Sequence, residues 1–246
     1  MKKIKKSTFK KDEDSVQILG VRINSIRLER LLKEIGQRLK RGQKTFIVTP
    51  NPEFLVLAQQ NPWFKKVLNK AHFAIPDGVG LIWASRLLAV DKIQERITGV
   101  DLAEKFLQLA QKRNWRVGIV GARRGKKKER RRLVKRLQQK YQRAKIFALE
   151  ETLDWQKKKW EIIFACQGMG KQEKWLDENF KKTKALIFMG VGGGLDFLAG
   201  LVRRSPECIR NLGFEWVFRL IRQPWRWKRQ LTLVKFIYLV LREKWG

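Results

Sequence analysis

Three polar residues stand where two strand-like runs of the chain give out. Thr45–Val48 is a short apolar run followed by Thr49-Pro50-Asn51-Pro52-Glu53, and Phe73–Ile75 is a second, followed by Pro76-Asp77-Gly78-Val79-Gly80. Pro52 suits the first position of a helix. Asn51 suits the N-cap before it, where a side-chain oxygen accepts from an unpaired backbone N–H. Phe54, Leu57 and Ala58 then recur at helical spacing. Thr49, Asn51 and Asp77 are therefore expected at the ends of two strands, just ahead of two helix N-termini. In open α/β sheets that rim binds ligands. Asp77 is the member of the trio able to take a proton as a general base. It would equally serve as the N-cap of a helix beginning near Gly78, and the residues alone leave both roles open.

Holding an anion is the second chemistry the chain is equipped for. Arg116–Gly121 reads as a buried strand ending in Gly121-Ala122-Arg123-Arg124-Gly125, a strand–turn–helix unit of the kind that receives a phosphate on backbone N–H groups. It lacks the G-x-G-x-x-G dinucleotide fingerprint. Ala185–Met189 runs into Gly190-Val191-Gly192-Gly193-Gly194-Leu195-Asp196, and Gly168-Met169-Gly170 leads into Lys171-Gln172-Glu173 at the start of a helix. Each turn is a candidate phosphate cradle, with an ordinary tight turn as the plainer alternative. Asp196 suits a ribose hydroxyl or a helix cap. Arg219, Arg226 and Arg229 share one helical side if a helix runs smoothly through Pro224, and three arginines can hold a diphosphate by bidentate contacts. Solvated surface charge is their simpler reading. Asp12-Glu13-Asp14 has a spelling that elsewhere holds a metal-bound nucleotide, but its charged surroundings favour a solvated acidic patch. His72, the single histidine, has no partner cluster, and with Cys166 and Cys208 as the two cysteines no zinc site is expected. No G-x-S-x-G nucleophile elbow occurs.

The elements that must position these groups alternate in type. Val16–Ile23 reads as a first strand, and Ile26–Arg41 as an amphipathic helix with Leu28, Leu31, Leu32, Ile35 and Leu39 on one face. Leu81–Leu88 is helical, and the loop Arg96-Ile97-Thr98-Gly99-Val100-Asp101 leads into a helix over Leu102–Arg113. Lys126–Arg143 turns Leu133, Leu137 and Tyr141 inward and Lys and Arg outward; Lys145–Leu149 and Ile162–Cys166 are further strands. This alternation predicts an α/β fold, a parallel sheet covered by helices, over residues 16–202. Residues 1–15 read as a basic flexible tail and 203–246 as a basic helical appendage. After Pro224, Trp227, Leu231, Val234, Tyr238, Leu241 and Trp245 form one apolar stripe flanked by Lys and Arg. Such a helix is suited to an anionic membrane surface, or to packing on the core or on another subunit.

Composition narrows the class further. With 43% hydrophobic residues among 246, the chain can bury a proper core, and wholesale disorder is excluded. A formal net charge of +33 calls for an anionic partner: nucleic acid, an anionic bilayer or a phosphorylated substrate. Two cysteines make no disulfide framework and fit a reduced, cytoplasmic setting. The basic N-terminus is not followed by the apolar stretch of a secretory signal. Leu231–Leu241 contains Lys235 and falls short of the roughly 20 apolar residues of a membrane span.

Taken in order, these motifs resemble the WecG/TagA/CpsF glycosyltransferases, which move an N-acetylmannosamine-type sugar from a UDP donor to a polyprenyl-linked acceptor. The resemblance runs from about Val16 to Arg229. It is carried by Thr49–Glu53, Asp77–Gly80, Arg96–Asp101, Lys171–Glu173, Gly190–Gly193 and Gly213-Phe214-Glu215-Trp216. It implies a Rossmann-like sheet and an inverting transferase needing neither metal nor other cofactor. The implied partners are a UDP-sugar, a polyprenyl-diphosphate-linked GlcNAc acceptor and the inner face of the cell membrane, with a homo-oligomer left open. Asp77 is the implied base, with Thr49, Asn51 and Arg96 lining its pocket. Gln172 is implied at the donor site beside Gly190, Gly192 and Gly193, and Arg219, Arg226 and Arg229 at the acceptor diphosphate. Gly170 stands where the family usually has proline, which implies a looser loop. The rival reading is a nucleic-acid-binding protein using the basic Arg123–Arg143 helix. The interleaved Leu133, Leu137 and Tyr141 and the lack of a stacking platform or recognition helix disfavour it.

Overall fold

A computed structural model gives the fold and describes residues 14–88, 93–122, 125–211, 215–222 and 227–246. Among these, six strands form a parallel sheet: β3 (Thr45–Val48), β4 (Phe73–Ala74), β5 (Arg116–Val120), β6 (Lys145–Ala148), β7 (Ile162–Ala165) and β8 (Ile187–Gly190). Their order across the sheet is β4-β3-β8-β7-β5-β6. These are the short apolar runs of the sequence, almost wholly buried in β3, β7 and β8, as parallel strands covered on both faces must be. The predicted helix-covered parallel sheet is the fold observed.

The first predicted strand is corrected. Val16–Ile23 is not one strand of the main sheet but part of an antiparallel hairpin, β1 (Ser15–Ile18) and β2 (Val21–Asn24). Leu19 and Gly20 turn it with φ of 52° and 67°, the two left-handed residues that a tight hairpin needs. The hairpin closes the β4 edge, which would otherwise offer unpaired backbone groups. Ala74 N–H donates to Asn24 Oδ1 at 2.7 Å, and Arg22 Nη2 donates to the Ala71 carbonyl at 2.6 Å. Ahead of β1, Asp14 pairs with Arg30 at 2.7 Å, while Asp12 and Glu13 lie outside the described residues.

Helices cover both faces. On one lie α2 (Pro52–Gln60), α3 (Pro62–Lys70), α4 (Val79–Leu87), α7 (Lys171–Phe180) and the hairpin; on the other lie α1 (Leu28–Lys40), α5 (Gly99–Arg113), α6 (Lys127–Lys140) and α8 (Gly194–Leu198). The split between α2 and α3 repeats one device. Asn51 and Asn61 each precede a proline and accept from the N–H three residues on, at 3.2 and 3.0 Å. Adjacent strands β3 and β8 send their following helices, α2 and α8, to opposite faces. A crevice opens at such a switch point, outside the carboxyl ends of the strands.

Beyond the sheet come α9 (Glu207–Asn211), α10 (Glu215–Arg222) and α11 (Trp227–Trp245). The last packs against α2, burying Phe236 and Val240, and Glu243 accepts from the Leu19 N–H at 2.9 Å. The stripe read from the sequence points the other way. Trp227, Leu231, Val234, Tyr238 and Trp245 are 54–70% exposed. No described helix is long and apolar enough to cross a membrane.

Candidate functional site

The crevice between β3 and β8 holds a cavity of about 340 Å³. Thr49 and Asn51 from the end of β3, Asp77 from the end of β4, and Gln172 from the start of α7 line it with Gly192, Gly193, Gly194 and Asp196 from the turn after β8. Residues far apart in the chain thus meet because parallel strands all end on one rim. Thr49 Oγ1 crosses from β3 to donate to the Gly190 carbonyl of β8 at 3.3 Å.

Asp77 is tied to this rim by its backbone. Its N–H donates to the Pro50 carbonyl at 2.8 Å, extending the pairing of β4 with β3. The N-cap position of α4 is Gly78, one residue beyond Asp77, and glycine has no side chain to make a capping bond. The half-buried carboxylate instead faces the cavity. Asn51, by contrast, does cap α2 while also lining the cavity.

The glycine turn after β8 is held from below by α7. Gly192 N–H donates to Gln172 Oε1 at 2.8 Å, and Gln172 Nε2 donates to Glu173 Oε1 at 2.7 Å. A Cβ on Gly190 would stand 2.7 Å from Gln172 Nε2, so a side chain there would displace the Gln172 amide. Glu173 Oε2 accepts from Gly170 N–H at 2.7 Å, closing the first turn of α7. Burial pushes the Glu173 carboxyl up to about 7, against the lowering effect of its bonds from Gln172 and Gly170.

Across the cavity, α5 begins at the Arg96–Asp101 motif. Thr98 Oγ1 caps α5 by accepting from Asp101 N–H at 3.1 Å, and donates to Asp101 Oδ2 at 2.6 Å. Arg204 locks this cap, with Nη1 on Asp101 Oδ1 at 2.6 Å and Nη2 on Thr98 Oγ1 at 3.2 Å. Burial opposes the Arg204 charge, but Asp101, with Glu215 and Asp77 behind it, outweighs that and holds the guanidinium above its ordinary pKa. Arg96 stands 3.9 Å from Glu215 of α10 and does not line the cavity itself. Arg96, Arg204, Glu215, Asp77 and Asp101 so form one charge cluster between the rim of the sheet, the start of α5 and α10.

Not every candidate comes together here. The Gly121 turn stays outside the cavity lining, and the Gly121 N–H already donates to Glu150 Oε1 at 2.9 Å; Arg123 and Arg124 lie outside the described residues. Arg226, and the side chains of Arg219 in α10 and Arg229 in α11, also lie outside them. His72 is structural: its Nδ1 accepts from the Phe46 N–H at 3.1 Å. Burial, with Asp196 and Glu150 adding to it, pushes the Cys166 thiol well up, so it is no nucleophile. Among the described residues no cluster of three or more His, Cys, Asp or Glu is placed to hold a metal ion.

Sequence reasoning missed Arg204 as a site residue and Glu173 as a buried carboxylate. Thr98-x-x-Asp101 carries a local capping signature that would have marked the α5 end. Arg204 has none, since its partners lie about a hundred positions away.

A Bacillus subtilis (strain 168) protein named N-acetylglucosaminyldiphosphoundecaprenol N-acetyl-beta-D-mannosaminyltransferase is 31% identical over 207 residues, covering 80% of this chain and 79% of that one. A protein of the same name from Staphylococcus aureus (strain MW2) is 27% identical over 241 residues, 93% of each chain. Residues 16–246 match the Glycosyl transferase WecG/TagA/CpsF family, and the chain, whose motifs converge on one rim of a parallel sheet, belongs to that family of glycosyltransferases.

Proposed function

We propose that the protein is an inverting glycosyltransferase that moves an N-acetylmannosamine-type sugar from a UDP donor to a polyprenyl-diphosphate-linked GlcNAc. The observation that carries this reading is the carboxylate of Asp77 in a cavity whose opposite lining is the Gln172-anchored glycine turn. The names of its relatives, which specify that sugar and a GlcNAc-diphosphoundecaprenol acceptor, support it. Asp77 takes the proton of the acceptor hydroxyl as its oxygen bonds to the anomeric carbon. The bond from that carbon to the diphosphate breaks on the opposite side, and UDP leaves with the electron pair. Charge developing on the diphosphate is met at Gly193 of the glycine turn, the neighbouring N–H groups of Val191, Gly192 and Gly194 being bonded within the protein, and by arginine, so the step runs without a metal. Thr49 and Asn51 orient the sugar on the same rim. Arg96 stands beside the same pocket, and Arg219, Arg226 and Arg229 of the appendage hold the acceptor diphosphate.

Membrane association follows from α11. One face is spent on α2 through Phe236 and Val240, and the exposed apolar face opposite it, flanked by Lys235, Arg242 and Lys244, suits an anionic bilayer in which a polyprenyl acceptor resides. A peripheral position on the inner face of the cell membrane is part of this proposal.

The test is Asp77→Asn assayed with UDP-N-acetylmannosamine and a polyprenyl-diphosphate GlcNAc acceptor. Loss of the base is expected to lower turnover about 10²–10⁴-fold while UDP binding is kept. Activity is expected to survive excess EDTA. Wild-type turnover by the variant removes Asp77 from the mechanism, and loss of activity in EDTA that is restored by a divalent cation ends the metal-free reading.

A further inference from the structure

Gln172 and Glu173 are successive residues of α7, and both side chains are buried, at 2% and 0% exposure. Their polar atoms form a directed chain. The Glu173 carboxylate accepts from Gly170 N–H and from Gln172 Nε2, each at 2.7 Å. The amide oxygen of Gln172 is thereby turned to the glycine turn, where it accepts from Gly192 N–H at 2.8 Å. An amide side chain has one donating end and one accepting end. If Gln172 flipped, its NH2 group would meet the Gly192 N–H donor against donor. Only an acceptor at position 173 selects the orientation that holds Gly192.

We propose that Glu173 is a positioning residue whose carboxylate orients Gln172 and, through it, holds the Gly190–Gly194 turn in the shape that receives the donor diphosphate. This role rests on reading that turn as the donor site. Glu173 itself touches no substrate.

Protonation undoes the arrangement. It turns one of the two accepting oxygens into a hydroxyl and removes the charge that strengthens both bonds, so the hold on Gln172 weakens. Burial sets this exchange near neutral pH, because the Glu173 carboxyl is pushed up to about 7. No charged side chain governs it. The strands under α7, β3, β7 and β8, carry no ionisable group. Facing helices bring Glu53 on α2 and Lys65, Lys66 and Lys70 on α3, and Lys70 is paired with Asp177 further along α7. On α7 itself Lys171 is exposed and Lys174 lies near Glu178 at 4.0 Å. None of these groups is a cause of the Glu173 shift.

Two measurements on the full chain test the proposal. In the wild-type protein the Gly192 amide resonance is expected to titrate with a midpoint near the Glu173 value of about 7, and in Glu173→Gln to stay fixed over the same range. The KM for the UDP-sugar is expected to rise about tenfold as the wild type is taken below that midpoint, the scale set by losing one charge-assisted hydrogen bond. Glu173→Gln, whose NH2 end must face one of the two donors, Gly170 N–H or Gln172 Nε2, is expected to show the raised KM at every pH across that range, with kcat at saturating donor changed far less. A variant with wild-type KM and a wild-type pH profile overturns the proposal, as does a Gly192 resonance that ignores pH. If the variant does not fold, the wild-type titration still decides. Added UDP separates the underlying readings. A Gly192 resonance that titrates but does not move with UDP overturns the donor-site assignment, whereas one that moves with UDP but not with pH overturns the role of Glu173 alone.

Discussion

At the scale of single residues, the site is a set of polar groups whose partners fix both place and charge. Arg204 is the sharpest case. Its two terminal nitrogens tie Thr98 and Asp101 together, and its charge is felt by Asp77 and Glu215. Arg204→Gln is expected to cost about 2 kcal/mol of stability in denaturant unfolding, the scale of a charge-assisted pairing lost from a half-buried site. It is also expected to move the acid limb of the kcat/KM profile to higher pH, since removing a nearby cation favours the protonated form of a carboxylate. An unchanged profile would make Arg204 a purely structural clamp. Glu173 gives a second residue-level prediction. Its carboxyl titrates near 4.5 when unfolded and at about 7 when folded, so between those values the folded state binds more protons. Its contribution is therefore fully present below the unfolded value and is lost as pH rises to the folded one, a change of ~3 kcal/mol. Unfolding of wild type and Glu173→Gln compared across that window should show the difference closing on one side and opening on the other. Thr49, Asn51 and Asp77 were legible in the sequence because their signal is local: a strand end, a proline, a glycine. Arg204 and the burial of Glu173 were not, because long-range packing makes them what they are.

At the scale of elements, α11 shows how one helix can carry two apolar faces. Its sequence reads as a single stripe from Trp227 to Trp245, and that stripe is the exposed face. The packed face, Phe236 and Val240 against α2, escaped notice because only a few positions define it. The two faces make opposite predictions. Phe236→Ala should destabilise the docking of α11 by about 3–5 kcal/mol, as large-to-small changes at buried aromatic sites do. Fraying would appear as faster amide exchange along α11. Leu231→Ser with Tyr238→Ser should leave stability within about 0.5 kcal/mol while lowering partitioning onto anionic vesicles more than tenfold, because each side chain withdraws ~1.5 kcal/mol or more of apolar burial. The β1–β2 hairpin has a weak sequence signal for a related reason. Alternation over Val16–Ile23 is compatible with a strand, and the Leu19-Gly20 turn interrupts it with only one glycine as a marker. The parallel strands were legible because each is a short apolar run between turns, and a strand buried on both faces needs no other signal.

At the scale of the whole molecule, the net charge of +33 has to be apportioned between faces. The basic helix α6 lies on the sheet face shared with α1, α5 and α8, while α11 packs outside α2 on the other. The sheet and its covering helices are stacked at roughly 10 Å per layer. A bilayer met by the outer face of α11 is thus some 20 Å or more from the exposed cations of α6, well beyond a screening length of about 8 Å at physiological salt. On the proposed membrane reading the two surfaces do not serve one flat bilayer together, and the apolar one sets the orientation, since burial of tryptophan and leucine survives salt that screens lysine. Replacing Lys127, Lys128, Arg132, Lys135 and Arg136, all exposed on α6, by glutamine should change vesicle pelleting at physiological salt by less than about twofold, as charges outside the screening length contribute little. The Leu231→Ser, Tyr238→Ser protein should fail to pellet under the same conditions. The reverse pattern would turn the molecule over, making α6 the membrane face and leaving the stripe of α11 for contact with another protein. Loss of a co-purifying nucleic acid in the glutamine variant, with transferase activity unchanged, would identify the charge on α6 as a second binding surface, separate from the sugar chemistry on the rim of the sheet.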